Sequence, residues 1–163
     1  MTYNELIIYL AGFFDAEGNI DIYRCKPTIS NPYGQYRLQT KVVQVNKDIL
    51  GNYVKCFGGK VLPQGKQNRE KWHQGWQWII SSNKAKAFLQ TILPYLQLKE
   101  AEAKIAIEFQ KSIRPGGSGR GVRLTDGEIK EREAIYRRFR LISPKRKGYN
   151  GKVQKKDGNT RSL

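Results

Sequence analysis

Cysteine, histidine and acidic side chains are scarce in this sequence of 163 residues. Cys25 and Cys56 are the only cysteines, and they stand far apart without the spacing of metal ligands, which argues against a zinc site or a disulfide framework. Their scarcity favours a reducing compartment. We interpret His73, the only histidine, as a surface residue of a strand and not as a catalyst.

A long apolar run is also missing. The apolar segment at residues 6–14 is too short to span a bilayer, and no basic segment precedes it as in a secretory signal. We therefore expect no membrane association and an intracellular protein, located in a prokaryotic cytoplasm or in an organelle.

Positive charge, by contrast, is abundant. Thirty Lys and Arg residues against 14 Asp and Glu residues give a net charge of +16 and a pI near 10.0. Such an excess favours a polyanionic partner, most simply nucleic acid, and a basic protein that coats RNA is the alternative. The aromatic content of 11% and the chain length together indicate one packed domain.

The N-terminal segment predicts a helix. Thr2 and Glu5 have the spacing of a capping box, and Gly18 is placed to end the helix. Because nearly every residue from 6 to 14 is apolar, we expect the helix to be buried almost all round.

One side of this helix is almost bare, and its end is acidic. Ile8, Gly12 and Ala16 recur every four residues, so a second backbone can approach closely there. Asp15 and Glu17 lie in the last turn, where the helix dipole disfavours negative charge. A bound cation would explain both acids, although acids that simply face water are the plainer alternative.

Alternation and turn residues predict the order α-β-β-α-β-β-α-α-α, an α+β fold with strands in two hairpins. We expect Asn46 or Asp48 to cap the second helix, Ser82 or Asn83 to cap the third, and Thr125 with Glu128 to form a capping box at the start of the last helix. We also expect a bulge near Val42. After the N-terminal helix, the expected elements are strands at 19–26 and 36–45, a helix to 57, strands at 60–66 and 72–81, a helix to 93, and helices at 97–112 and 125–141. We divide the chain into a core domain at 1–113, a linker with a C-terminal helix packed on the core at 114–142, and a basic flexible tail at 143–163.

The four strands predict a sheet with one apolar and one polar face. Trp76 and Trp78 are assigned to the core, with base stacking as the alternative. Arg, Lys, Gln and Tyr side chains on the other face suit the base edges and phosphates of a DNA major groove. The candidates are Tyr23, Lys26, Arg37, Gln39, Lys41, Gln64, Lys66, Arg69, Lys71, His73 and Gln77.

The segment LAGFFDAEG at residues 10–18 resembles the signature of the LAGLIDADG homing endonucleases, with Glu17 where that family more often has Asp. Weaker similarities at residues 58–61, 78–81 and 93–99 follow in the family's order, so the resemblance covers roughly residues 4–109. It implies an αββαββα core with a four-stranded antiparallel DNA-binding sheet, to which this chain adds C-terminal helices.

The resemblance also implies site roles. Glu17 would be the direct ligand of Mg²⁺, or of Mn²⁺ or Ca²⁺ in its place, together with the main-chain carbonyl of Ala16. Asp15 would orient the helix end, Lys99 would lie near the scissile phosphate, and either Gln44 or Lys47 would position water. No small-molecule cofactor is implied.

One chain offers one acid pair, whereas cutting both strands needs two. We therefore expect a homodimer with Ile8, Gly12 and Ala16 at its axis. The expected activity is site-specific cleavage of double-stranded DNA at a long, near-palindromic target with short 3′ overhangs. The alternative is a protein that binds nucleic acid without cleaving it, such as an intron RNA maturase or a regulator of the same family.

Overall fold

The structure, a computed structural model, describes residues 1–26, 35–64, 74–114 and 124–143. Within these ranges the chain forms a mixed helix and strand fold, which confirms the predicted α+β class. Its elements are α1 (Tyr3–Glu17), β1 (Gly18–Cys25), β2 (Gln35–Gln44), α2 (Lys47–Phe57), β3 (Lys60–Pro63), β4 (Trp76–Ser81), α3 (Ser82–Ile92), a 3₁₀ turn (Leu93–Tyr95), α4 (Glu100–Lys111) and α5 (Asp126–Ile142).

The four strands form one antiparallel sheet in the order β1-β2-β4-β3. Its register pairs Gly18 with Val42 and Gln39 with Ser81, and it brings Lys60 opposite Ile79. Because successive side chains point to opposite sides of a strand, this register fixes two faces of the sheet. One face packs against helices, and we call the other the outer face.

The core lies between the sheet and the helices. Trp78 is fully buried, its ring lies 5.0 Å from that of Phe88 and 4.7 Å from that of Tyr53, and its indole N–H donates to the Gly58 carbonyl at 2.8 Å. Trp76 is half-buried against the same core. The assignment of both tryptophans to the core side is therefore confirmed.

The expected bulge near Val42 is absent from the described strands. Val42 pairs with Gly18 on one side and with Trp78 on the other, and the register runs without a break from Gln39 to Gln44. The strand ends at Gln44, so Val45 lies beyond it and is 55% exposed. Val43 on the outer face and Val45 beyond the strand end are therefore the two apolar residues that break the alternation of this segment, and no bulge is needed to explain them.

Helix starts were predicted with mixed success. The capping boxes at Thr2 and Thr125 are present, and the Asn46 side chain caps α2 by accepting from the Asp48 amide at 2.9 Å. Ser82 or Asn83 as the cap of α3 is wrong, because Ser81 holds that position without a side-chain hydrogen bond.

Three element boundaries differ from the sequence-based expectation by three or more residues. α4 begins at Glu100 instead of residue 97, because the preceding residues bind Asp15. β3 ends at Pro63, although the Gln64 amide still donates to the Gly75 carbonyl at 2.8 Å, and β4 begins at Trp76. Residues 65–73, which include the end of the predicted third strand, the start of the fourth and the turn between them, lie outside the described part of the chain.

Helix α1 is not buried all round in the single chain. Leu10, Ala11 and Phe14 face the core, whereas Ile8 and Tyr9 on the opposite side are 44% and 49% exposed. The prediction was wrong because the sheet and the neighbouring helices of one chain cover only one side of α1. Among the described residues, no helix combines the length and apolar character needed to cross a membrane.

Gly18 ends α1 at a position where a side chain would not fit. Its backbone is extended, with φ −72° and ψ 162°, and its N–H donates to the Phe14 carbonyl. A Cβ there would lie 2.3 Å from the Phe14 ring and 2.5 Å from the Phe14 carbonyl oxygen. Gly18 therefore allows the chain to pass directly from α1 into β1.

Helix α5 packs on α4 and reaches the edge of the sheet. Phe139 and Ile135 are buried in the core cluster. The Tyr36 hydroxyl of β2 donates to Glu133, and the Tyr36 ring lies 4.7 Å from that of Tyr136. Burial and the bond to Glu133 raise the pKa of Tyr36 to about 12, so this donor stays protonated at neutral pH.

Candidate active site and nucleic-acid interface

The carboxylate of Asp15 binds the segment between the 3₁₀ turn and α4. It accepts from the backbone amides of Gln97 at 2.9 Å, Leu98 at 2.9 Å and Lys99 at 2.8 Å, and the residue is only 7% exposed. Burial raises the pKa of Asp15, but the three amides and the Lys99 charge outweigh it and hold the pKa below its ordinary value. Asp15 is therefore a structural anchor that fixes the end of α1 to this segment.

The side chain of Lys99 also contacts the end of α1. Its ammonium group donates to the main-chain carbonyl of Asp15, and to that of Ala16 at 3.4 Å. These carbonyls belong to the last turn of α1, where the helix dipole is negative and a cation is favoured. The geometry places a positive charge one residue away from Glu17.

Glu17 differs from Asp15 in its surroundings. It is exposed at the last position of α1, and no hydrogen bond or ion pair to its carboxylate is present among the described residues. The same part of the chain holds no group of three His, Cys, Asp or Glu side chains that could bind a metal ion. One chain therefore offers an exposed carboxylate and adjacent main-chain carbonyls, which are hard oxygen donors of the kind that Mg²⁺ prefers.

The two candidates for positioning water have other partners. Gln44 is the last residue of β2, two positions beyond the partner of Gly18, and its side-chain oxygen accepts from the Val45 amide at 2.9 Å. Lys47 opens α2, and its ammonium lies 4.2 Å from the centre of the Trp76 ring. Within the described residues, neither makes a hydrogen bond to the end of α1.

The outer face of the sheet carries most of the described candidates for DNA contact. Register places Tyr23 opposite Arg37, and Lys41 between Asn19 and Ile79. Gln39 and Gln77 share this face. Lys26 follows β1 and is exposed, and Gln64 follows β3. The remaining candidates, Lys66, Arg69, Lys71 and His73, lie outside the described residues.

Sequence reasoning missed several residues of the outer face. Asn19 and Asp21 share the parity of Tyr23, so alternation along β1 would have found them. Lys60 and Ser81 join the face through strand pairing, which the sequence does not give. Alongside these polar groups are the apolar side chains of Val43, Leu62 and Ile79.

The exposed side of α1 matches the bare side expected from its sequence. Ile8, Gly12 and Ala16 are exposed, and a Cβ on Gly12 would meet nothing within 4 Å. Tyr9 and Phe13, with ring centres 6.5 Å apart, extend this surface and were not anticipated. A small, largely apolar surface therefore runs along the helix that ends in Glu17.

A family model described as LAGLIDADG endonuclease matches residues 10–113. The chain belongs to this family, which confirms the resemblance seen in residues 10–18. None of the curated proteins matches the sequence.

Solved structures of homing endonucleases share the fold. I-CvuI, determined with the I-CreI target DNA in the presence of Mg, has a TM-score of 0.67 and 22% identity, over 98% of this chain and 87% of that one. The archaeal intron-encoded I-Vdi141I, complexed with DNA, has a TM-score of 0.70 and 15% identity, and the match covers 88% of this chain and 87% of that one. I-TnaI has a TM-score of 0.54 and 17% identity, and the match covers 84% of this chain and 95% of that one.

Proposed function

We propose that this protein is a site-specific, divalent-metal-dependent endonuclease that cuts both strands of a long, near-palindromic DNA target as a homodimer and leaves short 3′ overhangs. The observation that carries the proposal is the end of α1, where a fixed Asp15, an exposed Glu17 and the Lys99 ammonium come together. Support also comes from the DNA complexes in which I-CvuI and I-Vdi141I were determined.

Each residue of the helix end has a distinct proposed role. Glu17 and the Ala16 carbonyl would hold a Mg²⁺ ion, which Mn²⁺ or Ca²⁺ could replace, and Asp15 would keep that helix end in place. A divalent ion bound there supplies an activated water and neutralises charge on the phosphate. I-CvuI has been determined in the presence of Mg in one structure and of Ca in another, in keeping with this assignment.

Two further groups would assist the hydrolysis. Lys99 would stabilise the negative charge that develops on the scissile phosphate, because its ammonium already lies beside the Ala16 carbonyl. Gln44 or Lys47 would position water.

The proposed dimer follows from the single acidic end of each chain. Two strands require two such ends, and a twofold axis along the exposed side of α1 would bring them together. Gly12 and Ala16 leave room for the close approach of two helices, and Ile8 would be covered.

DNA would lie against the outer face. Arg and Lys side chains suit guanine edges and phosphates, and Gln side chains suit adenine. We propose residues 1–113 as the catalytic core, 114–142 as an addition that supports the sheet, and 143–163 as a basic tail for phosphate contacts.

A cleavage experiment tests the proposal. The protein is incubated with a randomised duplex library and Mg²⁺, and the products are sequenced for paired cuts at one target. We expect Glu17→Gln to bind the target in Ca²⁺ with nearly unchanged affinity and to cut at least about a hundredfold more slowly. Glu131→Gln, which removes an exposed acid of α5, is the matched control and should cut normally.

Three results would contradict parts of the proposal. Normal cleavage by Glu17→Gln would remove this residue from the mechanism. Sequence-specific binding without cleavage by the unaltered protein would favour the non-cleaving alternative, a maturase or regulator. Failure to bind duplex DNA would overturn the proposed function as a whole.

A further inference from the structure

An acidic residue lies on the face that we propose for DNA. Asp21 of β1 is opposite Gln39 of β2 on the outer face, and the Gln39 amide nitrogen lies 3.5 Å from the Ser81 hydroxyl of β4. A carboxylate facing DNA is unfavourable unless something compensates it, because the backbone of the duplex is negative. Its presence among Arg and Lys side chains requires a physical reason.

The compensation comes from α5. The Arg140 guanidinium donates to Asp21 Oδ1, and also to the Ile22 carbonyl at 2.5 Å on the edge strand β1. The side chains of Arg140 and Asp21 are 17% and 34% exposed. Arg140 is itself packed near the Tyr136 and Phe139 rings, at 5.1 and 5.4 Å from their centres. Asp21 is therefore held in one orientation, while its Oδ2 accepts no hydrogen bond from the described residues.

A fixed carboxylate oxygen selects hydrogen-bond donors. In the major groove only cytosine and adenine present amino groups, at N4 and N6. Adenine carries its N7 acceptor next to the amine, which repels a carboxylate, whereas cytosine has a C–H at the neighbouring C5 position. A guanine or thymine presents acceptors in the same place and would be rejected.

We propose that Asp21 is a specificity-determining residue that selects cytosine at one position in each half of the target, and that Arg140 is the residue that positions it. The inference rests on the proposed function, since it needs duplex DNA on the outer face. It gives α5 a part in recognition, because the positioning residue belongs to that helix.

The test is selection from a randomised duplex library in Ca²⁺, followed by sequencing of the bound fraction. For the unaltered protein we expect one cytosine position in each half-site with a preference of roughly tenfold. Asp21→Asn should lose this preference to below about twofold and leave the other positions unchanged. Asp126→Asn, which removes the same charge at the exposed start of α5, should preserve the preference.

Arg140 is tested through its dependence on Asp21. Arg140→Met should weaken the cytosine preference several-fold, Arg140→Lys should restore part of it, and Arg140→Met added to Asp21→Asn should change nothing further at this position. If Arg140 had only a structural role, Arg140→Met would instead lower the base preferences at many positions of the target, both in the unaltered protein and in Asp21→Asn. Thermal unfolding of each variant identifies any that fail to fold, and Asp21→Asn at the surface is the variant that decides.

The outcomes separate this inference from the proposed function. An unaltered protein with sequence preferences that Asp21→Asn leaves intact would overturn the role of Asp21 alone. A uniform gain in affinity on all sequences, without a change in preference, would also overturn it and identify Asp21 as a group that merely repels phosphate. An unaltered protein that binds no duplex would overturn the proposed function and this inference with it.

Discussion

At the scale of single residues, the two acids of α1 have different physical situations. Asp15 is buried under three amide donors, whereas Glu17 is exposed and its carboxylate makes no hydrogen bond or ion pair among the described residues. A buried carboxylate of this kind supports structure, and an exposed one next to a cationic group is available for chemistry. We therefore expect substitution of Asp15 to lower the stability of the fold and substitution of Glu17 to lower the rate of cleavage.

We expect Asp15→Asn to lower the free energy of unfolding by about 2 kcal/mol, because the amide side chain cannot accept from all three donors as a charged group does. Urea unfolding at pH 7 measures the difference. Glu131→Gln, at an exposed position, is the control and should stay within about 0.5 kcal/mol of the unaltered protein. An equally small effect of Asp15→Asn would show that the anchor is unimportant.

The lowered pKa of Asp15 gives this prediction a pH dependence. Its folded pKa lies below the unfolded value, so its contribution to stability is complete above about pH 4 and is lost as the pH falls through the folded pKa. The difference between the unaltered protein and Asp15→Asn should therefore be constant from pH 7 to about pH 5 and shrink at lower pH. A difference that grew on acidification would contradict the assigned sign.

Residue roles were predictable only where a motif carries them. The signature at residues 10–18 marks both acids, but the amides that bind Asp15 come from residues 97–99, far away in the chain. The ion pair of Asp21 with Arg140 joins residues 119 positions apart and has no local signal in the sequence. Such contacts depend on how elements pack, which periodicity does not specify.

At the scale of elements, the main consequence concerns α1. A helix that buries one side in its own chain and exposes Ile8, Tyr9 and Gly12 on the other has an uncovered apolar surface. The sequence indicated a helix that is apolar all round but could not tell which side its own chain covers. In the proposed dimer the second chain would cover the remaining side, so that α1 would be buried almost all round, as its sequence predicts.

Gly12→Leu tests this explanation. The side chain should overpack the approach of two α1 helices and convert the dimer to a monomer, while the fold of each chain is kept, since nothing lies within 4 Å of a Cβ at this position. Sedimentation velocity measures the mass. Gly51→Leu in α2, where a Cβ also meets nothing within 4 Å, is the matched control and should leave the dimer intact. A dimer that persists in Gly12→Leu would place the axis elsewhere.

Strands and helices were predicted well where their patterns are strong. The alternation of Ile20 and Ile22 and the capping boxes at Thr2 and Thr125 lie where the structure has them. The start of α4 was predicted three residues too early. The backbone amides of residues 97–99 donate to the Asp15 carboxylate, and the helix begins only at Glu100. Tertiary contacts thus decide the boundaries that local preference leaves open.

At the scale of the whole molecule, charge is the dominant property. The net charge of +16 makes binding to duplex DNA depend on the release of counterions. We expect affinity for a non-target duplex to fall on the order of a thousandfold between 50 and 200 mM salt, as measured by fluorescence anisotropy. Glu131→Gln should leave the slope unchanged. An affinity that is insensitive to salt would contradict the account of DNA binding.

In the proposed complex, two α1 helices, one from each chain, present Glu17 to the DNA backbone. Crystals of the protein with its target and Mn²⁺ test it most directly, through anomalous scattering from the metal. We expect Mn²⁺ between Glu17 and the Ala16 carbonyl of each of two chains, next to a phosphate. A single chain on the DNA, or metal peaks remote from Glu17, would contradict it.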